Sequence, residues 1–150
     1  MKTSTKKTFN RLFTALLCIT VLASCAEYKK YDDMEVIENS YTGNVAVTST
    51  GSDQAADFTG SGDAGTYSFA WKNTKTTASL TFDITSPTGS AQMILNDKKG
   101  DEVINHTITG GSGADSFSKV STEGKPGTWK VTLILTDFTG DGSYSVHPGN

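Results

Sequence analysis

Arginine is almost missing from this chain: Arg11 is the only one among 150 residues. Beyond it no guanidinium is available for the forked contacts that recognise phosphates and guanine edges. From Cys25 onward nine basic residues face sixteen acidic ones, a net charge of −7. A surface of that sign repels polyanions, so nucleic acid is not expected as a partner. Cysteine is nearly as scarce. Cys18 and Cys25 are the only two, which leaves the rest of the chain no thiol for a disulfide, a metal site or a nucleophile. Long apolar runs are short of what a membrane needs. The longest, Leu12 to Ala23, falls below the ~20 residues of a spanning helix, which excludes a multi-span membrane protein.

The beginning of the chain reads as an address. A basic stretch, Lys2 to Arg11, precedes the apolar stretch Leu12 to Leu22 and the small residues Ala23 and Ser24, the order of a secretory signal peptide. The junction Leu22-Ala23-Ser24-Cys25 resembles the lipobox of bacterial lipoproteins. That resemblance implies cleavage before Cys25 and attachment of diacylglycerol to its sulfur, with acylation, such as by palmitate, of the new amine. Two or three acyl chains make such an anchor lasting, whereas one holds only marginally. Ala26 stands where an aspartate would favour the inner membrane, so the resemblance implies the outer membrane of the cell envelope. Residues 1–24 are thus expected to be removed, and 25–42 to form the lipidated cysteine and a polar tether. Within the tether Tyr28, Tyr31, Met34 and Ile37 recur every three residues, which permits a short helix.

From about residue 43 the apolar period becomes two. Trp129, Val131, Leu133 and Leu135 alternate with Thr128, Lys130, Thr132 and Thr136, with Ile134 the exception on the polar face. Ala78, Leu80, Phe82 and Ile84 alternate in the same way, as do Tyr67, Phe69 and Trp71. Each pattern is that of a strand with one buried face. Weaker strands are expected over 43–49, 91–96, 103–109, 116–121 and 143–147, giving about eight. Turn residues fall between them at 86–89, 98–100, 110–113, 124–127 and 140–142. The expected fold over 43–150 is therefore all-β, an antiparallel β-sandwich with a jelly-roll-like arrangement. Gly127-Thr128-Trp129-Lys130-Val131 followed by Gly140-Asp141-Gly142-Ser143-Tyr144-Ser145-Val146 resembles the closing strands of bacterial pre-peptidase C-terminal domains. That resemblance spans about 67 to 146 and implies a non-catalytic accessory module.

Little in the chain suggests catalysis. A Ser-His-Asp arrangement would need His106 or His147, the only histidines. His106 is in phase with Ile104 and Ile108, as a packed or edge-strand histidine would be, and His147 lies near the end of the chain. Asp137-Phe138-Thr139-Gly140-Asp141-Gly142 begins like a calcium loop, which makes Asp137 and Asp141 candidate ligands. Its twelfth position is Pro148 instead of a bidentate glutamate, and a hairpin closed by Asp141-Gly142 is the competing reading. Asp53, Asp57 and Asp63 would join a calcium site only if the fold brought them there. Trp71 and Tyr67 are the candidate sugar-stacking platforms, weighed against burial in the core.

The sequence thus supports a non-enzymatic envelope lipoprotein without a cofactor, a binding or structural accessory anchored to the membrane through its lipid. A surface glycan-binding module is the alternative reading and a small hydrolase the second.

Overall fold

A computed structural model of the chain describes residues 36–111 and 113–150. The leader, Cys25 and the residues of the expected helix before Val36 lie outside them. Among the described residues seven strands follow one another: β1 (Val36–Asn39), β2 (Asn44–Thr50), β3 (Asp53–Asn73), β4 (Ala78–Asn96), β5 (Glu102–Thr109), β6 (Gly113–Val120) and β7 (Gly127–Pro148). All pairings are antiparallel. β1 lies within the segment expected as tether. It pairs with β3 through Val36 opposite Phe69 and Asn39 opposite Tyr67, so the folded unit begins before residue 43.

Three strands are far longer than alternation alone suggests. β3, β4 and β7 run for 21, 19 and 22 residues, against about five or six for a common strand. Their register breaks midway, between Ser61 and Gly65 on β3 and between Thr85 and Ser90 on β4. On β7 the same level holds Asp137 at φ 47° and Gly140 at φ 137°. Such irregularities bend a strand sharply. Each long strand thereby contributes one half to each of two layers. In the first layer the order is β2, β3, β7, β4, β6, and in the second it is β1, β3, β7, β4, β5. The result is an antiparallel β-sandwich folded from one continuous sheet.

Two expected turns are corrected by this arrangement. Ser86-Pro87-Thr88-Gly89 does not separate two strands, since β4 runs through it. Asp137 to Gly142 is not a hairpin loop, because Asp141 is paired with Thr59 on one side and Thr85 on the other. Glycine and proline mark places where the backbone must leave regular geometry, and a bulge satisfies that as well as a reversal does. Gly89 illustrates the requirement. It has φ 83°, and a Cβ there would run into the backbone of Asp137 on the neighbouring bend. The signals at 98–100 and 124–127 fall between strands as expected, β4 from β5 and β6 from β7, whereas the connection from β5 to β6 carries the chain onward along β4, past its bend, from the second layer to the first.

The core is one cluster shared by both layers. Leu80, Phe82 and Val146 from the first layer and Leu95, Trp129, Val131 and Leu133 from the second are wholly buried. Phe69 of the second layer stacks on Tyr144 of the first, with ring centroids 5.9 Å apart. At the bends the core is closed by Phe138, 5.4 Å from Phe58, and by Tyr41, whose hydroxyl donates to the Thr59 carbonyl at 2.6 Å. Burial pushes the Tyr41 phenol above its usual range, and the nearby Asp63 charge adds to this.

At the opposite end Asp97 ties two turns together. Its Oδ1 accepts from the backbone N–H of Lys99 at 2.7 Å and of Asp101 at 3.0 Å, and its Oδ2 from that of Lys125 at 2.7 Å. Burial alone pushes the Asp97 carboxyl up, but the N–H donors of Lys125, Lys99, Asp101 and Gly100 together hold it below the usual carboxylate range.

Candidate functional site

The outward face of the first layer is a grid of small polar side chains. Alternation dictates this, because Ala56, Phe58, Phe82 and Tyr144 turn into the core and their neighbours must turn away from it. Ala46, Asp57, Ser143, Asp83 and Ser116 are successive partners across five strands and form one row. The adjoining row is Thr48, Ala55, Ser145, Thr81 and Ser118. On the other side Asp141 lies between Thr59 and Thr85. Two shallow clefts of about 250 Å³ each open on this face. Asp57, Asp83 and Ser143 line both, and Asp141 lines the second.

Chemically this is an acceptor-rich surface with donors interspersed. Each carboxylate can accept from two hydroxyls, while serine and threonine both donate and accept. Ser143 stands directly between Asp57 and Asp83 on neighbouring strands, so a ligand lying across the strands would meet acceptor, hydroxyl and acceptor in sequence.

The aromatic residues are elsewhere. Trp71 is 2% exposed and edge-on to Trp129, with ring centroids 5.8 Å apart. Its indole N–H donates to the Ser52 carbonyl at 2.9 Å, and in this position it presents no open ring face to a sugar. Tyr67 is half-buried, 6.1 Å from Phe69 and packed against the core. Burial pushes the Tyr144 phenol well above its usual range, and the neighbouring Tyr67 adds to this. Burial is the competing reading for Trp71, and it is where the structure puts that side chain.

Asp137 and Asp141 lie on one strand, the first at its left-handed bend and the second beyond it on the polar face. Asp63 is engaged locally, accepting from Thr42 Oγ1 at 2.8 Å and the Ser61 N–H at 3.1 Å. The Ser61 N–H and then the Thr42 hydroxyl hold its carboxyl below the usual range. Among the described residues no three His, Cys, Asp or Glu side chains gather around a point that could hold a metal ion.

The histidines separate. His106 stacks on Phe117 with ring centroids 3.7 Å apart, joining edge strands β5 and β6, a packing role in accord with its phase. His147 approaches Asp53, Nδ1 to Oδ1 at 3.1 Å, with both side chains about half exposed. Ser79 is its strand partner on the other side. A hydrolytic triad requires a histidine hydrogen-bonded to serine as well as to carboxylate; the contact seen for His147 is the one to the Asp53 carboxylate.

Sequence reasoning did not single out Asp83 or Ser143, which sit in an alternating strand as ordinary solvent-facing residues. Their only signal was parity. With the strand pairing known, parity would have placed them in a row with Asp57.

No family model and no curated protein matches the sequence. Among solved structures the chain is similar to TmCBM61 in complex with β-1,4-galactotriose, with 12% identity and a TM-score of 0.49 over 80% of this chain and 91% of that one. It is similar to the carbohydrate binding module CBM6cm-2 from Cellvibrio mixtus lichenase 5A in complex with cellotriose, with 11% identity and a TM-score of 0.39 over 73% and 90%. A third is arabinose-bound MgGH51 α-L-arabinofuranosidase, with 14% identity and a TM-score of 0.42 over 77% of this chain. The chain spans only 23% of that enzyme's length. The likeness is one of β-sandwich outline, and neither ligand nor activity passes with it.

Proposed function

We propose that the chain is a non-catalytic envelope module, held at the outer membrane by lipid on Cys25, whose first-layer face binds neutral carbohydrate. The observation that carries the binding reading is the row Asp57, Ser143, Asp83 lining a cleft on a face of small hydroxylated residues. Polyhydroxyl ligands match such a face because every sugar hydroxyl both donates and accepts. The net charge of −7 from Cys25 onward, with no arginine there, opposes anionic glycans. Affinity on this face comes from hydrogen bonds and contact area and not from ring stacking, so weak binding is expected. The Cys25 anchor, suggested by the lipobox, would hold such a module at the envelope without spanning the membrane.

The test is calorimetric titration of the purified protein with neutral gluco-, manno-, galacto- and xylo-oligosaccharides, alongside heparin and DNA. Binding of at least one neutral series, abolished by Asp57→Ala and by Asp83→Ala, is the expected result. Absence of binding to every neutral series, or binding that survives both substitutions, overturns the site. For the anchor, Cys25→Ser should release the protein from the membrane fraction or leave it unprocessed, and an unmodified Cys25 in the intact mass of the wild-type protein overturns it.

A further inference from the structure

Among the described residues the sandwich has four edge strands, β2 and β6 in the first layer and β1 and β5 in the second. β6 pairs with β4 over all eight of its residues without a register shift. Its other edge is therefore straight, and no described strand pairs with it. An edge of that kind is a template for a further strand, and the side chains of β6 decide which one fits. Asp115, Phe117 and Lys119 share one side of the strand, and Ser116, Ser118 and Val120 the other. Asp115 and Lys119 are exposed and stand symmetrically before and after Phe117. The Phe117 ring is half-buried, stacked on His106, and Val120 is 56% exposed. Charges on an edge strand commonly prevent pairing, and charges of one sign would repel a copy of the same strand. Here the two signs are opposite, so the strand is complementary to itself.

We propose that β6 pairs antiparallel with β6 of a second copy of this chain, about a two-fold axis at Phe117. That register sets Asp115 of each copy opposite Lys119 of the other, Ser116 opposite Ser118, and Phe117 opposite its own counterpart. Opposite charges and aromatic pairs directly across two strands stabilise them, and like charges there destabilise. The other edge strands lack this symmetry: β1 has only four residues, β2 has no charged residue, and β5 has Glu102 without a lysine. An axis perpendicular to the sheet joins the two first layers into one sheet, five strands from each copy. Both rows of Asp57, Ser143 and Asp83 then lie on the same side of it. They are five strand spacings apart, ~24 Å, so one extended saccharide could engage both, and two weak sites would act as a stronger one. That consequence rests on the carbohydrate reading, while the pairing itself does not.

Sedimentation equilibrium of the purified protein, without saccharide, tests the pairing separately from the titrations above. One strand edge is a small interface, so the parent should show a weak, concentration-dependent equilibrium between monomer and dimer. Asp115→Lys and Lys119→Asp each set like charges opposite one another and should weaken the dimer about tenfold or more. The chain carrying both substitutions should return to within about threefold of the parent. An equimolar mixture of the two single variants should form a heterodimer, because every facing pair is then opposite in sign. A parent that is still monomeric at millimolar concentration overturns the proposal. So does association that the single variants share with the parent, or failure of either the double variant or the mixture to restore it. If a single variant does not fold, hydrogen exchange of the parent decides. The β6 amides should gain protection with rising concentration while those of β2 do not, and an equal change at both edges, or none, overturns the pairing.

Discussion

The two outward faces of the sandwich are built on the same three strands, yet they offer different chemistry. On the first layer β3, β7 and β4 present Asp57, which is exposed, and Ser143 and Asp83, which are half-buried, all three lining clefts. On the second the same strands present Ser68, Thr132 and Ile94, with the first two closed off from water. Strand order cannot account for this, because β3, β7 and β4 are neighbours in both layers. The bends between residues 61 and 65, 85 and 90, and at 137 to 140 account for it. Each carries a strand from one layer to the other, so one stretch of alternating sequence is read on one face and the next stretch on the other. Function can therefore be placed on one face while the shared core remains common to both.

The largest effect should come from breaking that common core. Phe82→Ala in the first layer and Leu133→Ala in the second should each cost ~2–5 kcal/mol, because a cavity adds to the lost burial. Urea denaturation should show a single transition in both variants. Two transitions, or loss of only one layer's signal, would mean that the layers are separate units.

Asp97 lies at the end away from the bends and stabilises both layers without belonging to either face. Asp97→Ala removes charge-assisted bonds to three backbone donors, and a loss of ~2–3 kcal/mol is expected. The pH dependence has a definite sign. The folded carboxyl titrates below its ordinary value of 3.8, so its contribution is fully present above the unfolded value and disappears as pH falls through the folded one. Wild-type stability should therefore fall more steeply than that of Asp97→Ala when the pH is lowered below about 4.

Gly142 tests whether the Asp137 to Gly142 segment is strand or hairpin. A Cβ at this position would enter the Phe58 ring, so Gly142→Ala should cost ~1–3 kcal/mol through overpacking. Reducing the ring with Phe58→Leu should partly rescue it. A hairpin glycine would show no dependence on Phe58, and thermal melts of the double variant would reveal that.

Smaller effects should follow on the open face. Asp57→Ala and Asp83→Ala should change stability by no more than ~0.5 kcal/mol while removing carbohydrate binding. A large stability loss in either would show that the row is structural. The smallest expected effect is that of calcium. Millimolar calcium should leave the melting temperature unchanged, and a rise abolished by Asp137→Ala would identify a native-state site there.

Much of this was legible in the sequence. The alternation from Thr128 to Thr136 predicts which side chains enter the core, and Trp129, Val131, Leu133 and Leu135 do so. The phase of His106 with Ile104 and Ile108 predicts packing, and the ring is stacked on Phe117. The site was less legible. Asp83 and Ser143 carry no local motif, and Asp141 drew attention through a calcium-like spacing that the strand pairing gives a different context.

What the sequence determined by itself was local and additive: one-sided strands, a negative chain without guanidinium groups, and no thiol beyond Cys25. These follow from side-chain parity and from charge, which need no partner to be read. Only the tertiary structure decided whether Ser86 to Gly89 and Asp137 to Gly142 turn the chain back or bend it onward, and which carboxylates share a row. The physical reason is that a positive φ or a missing Cβ meets the demands of a hairpin and of a bulge alike. The choice between them is made by strands distant in sequence, which either do or do not supply hydrogen-bond partners on both sides of the irregular residues.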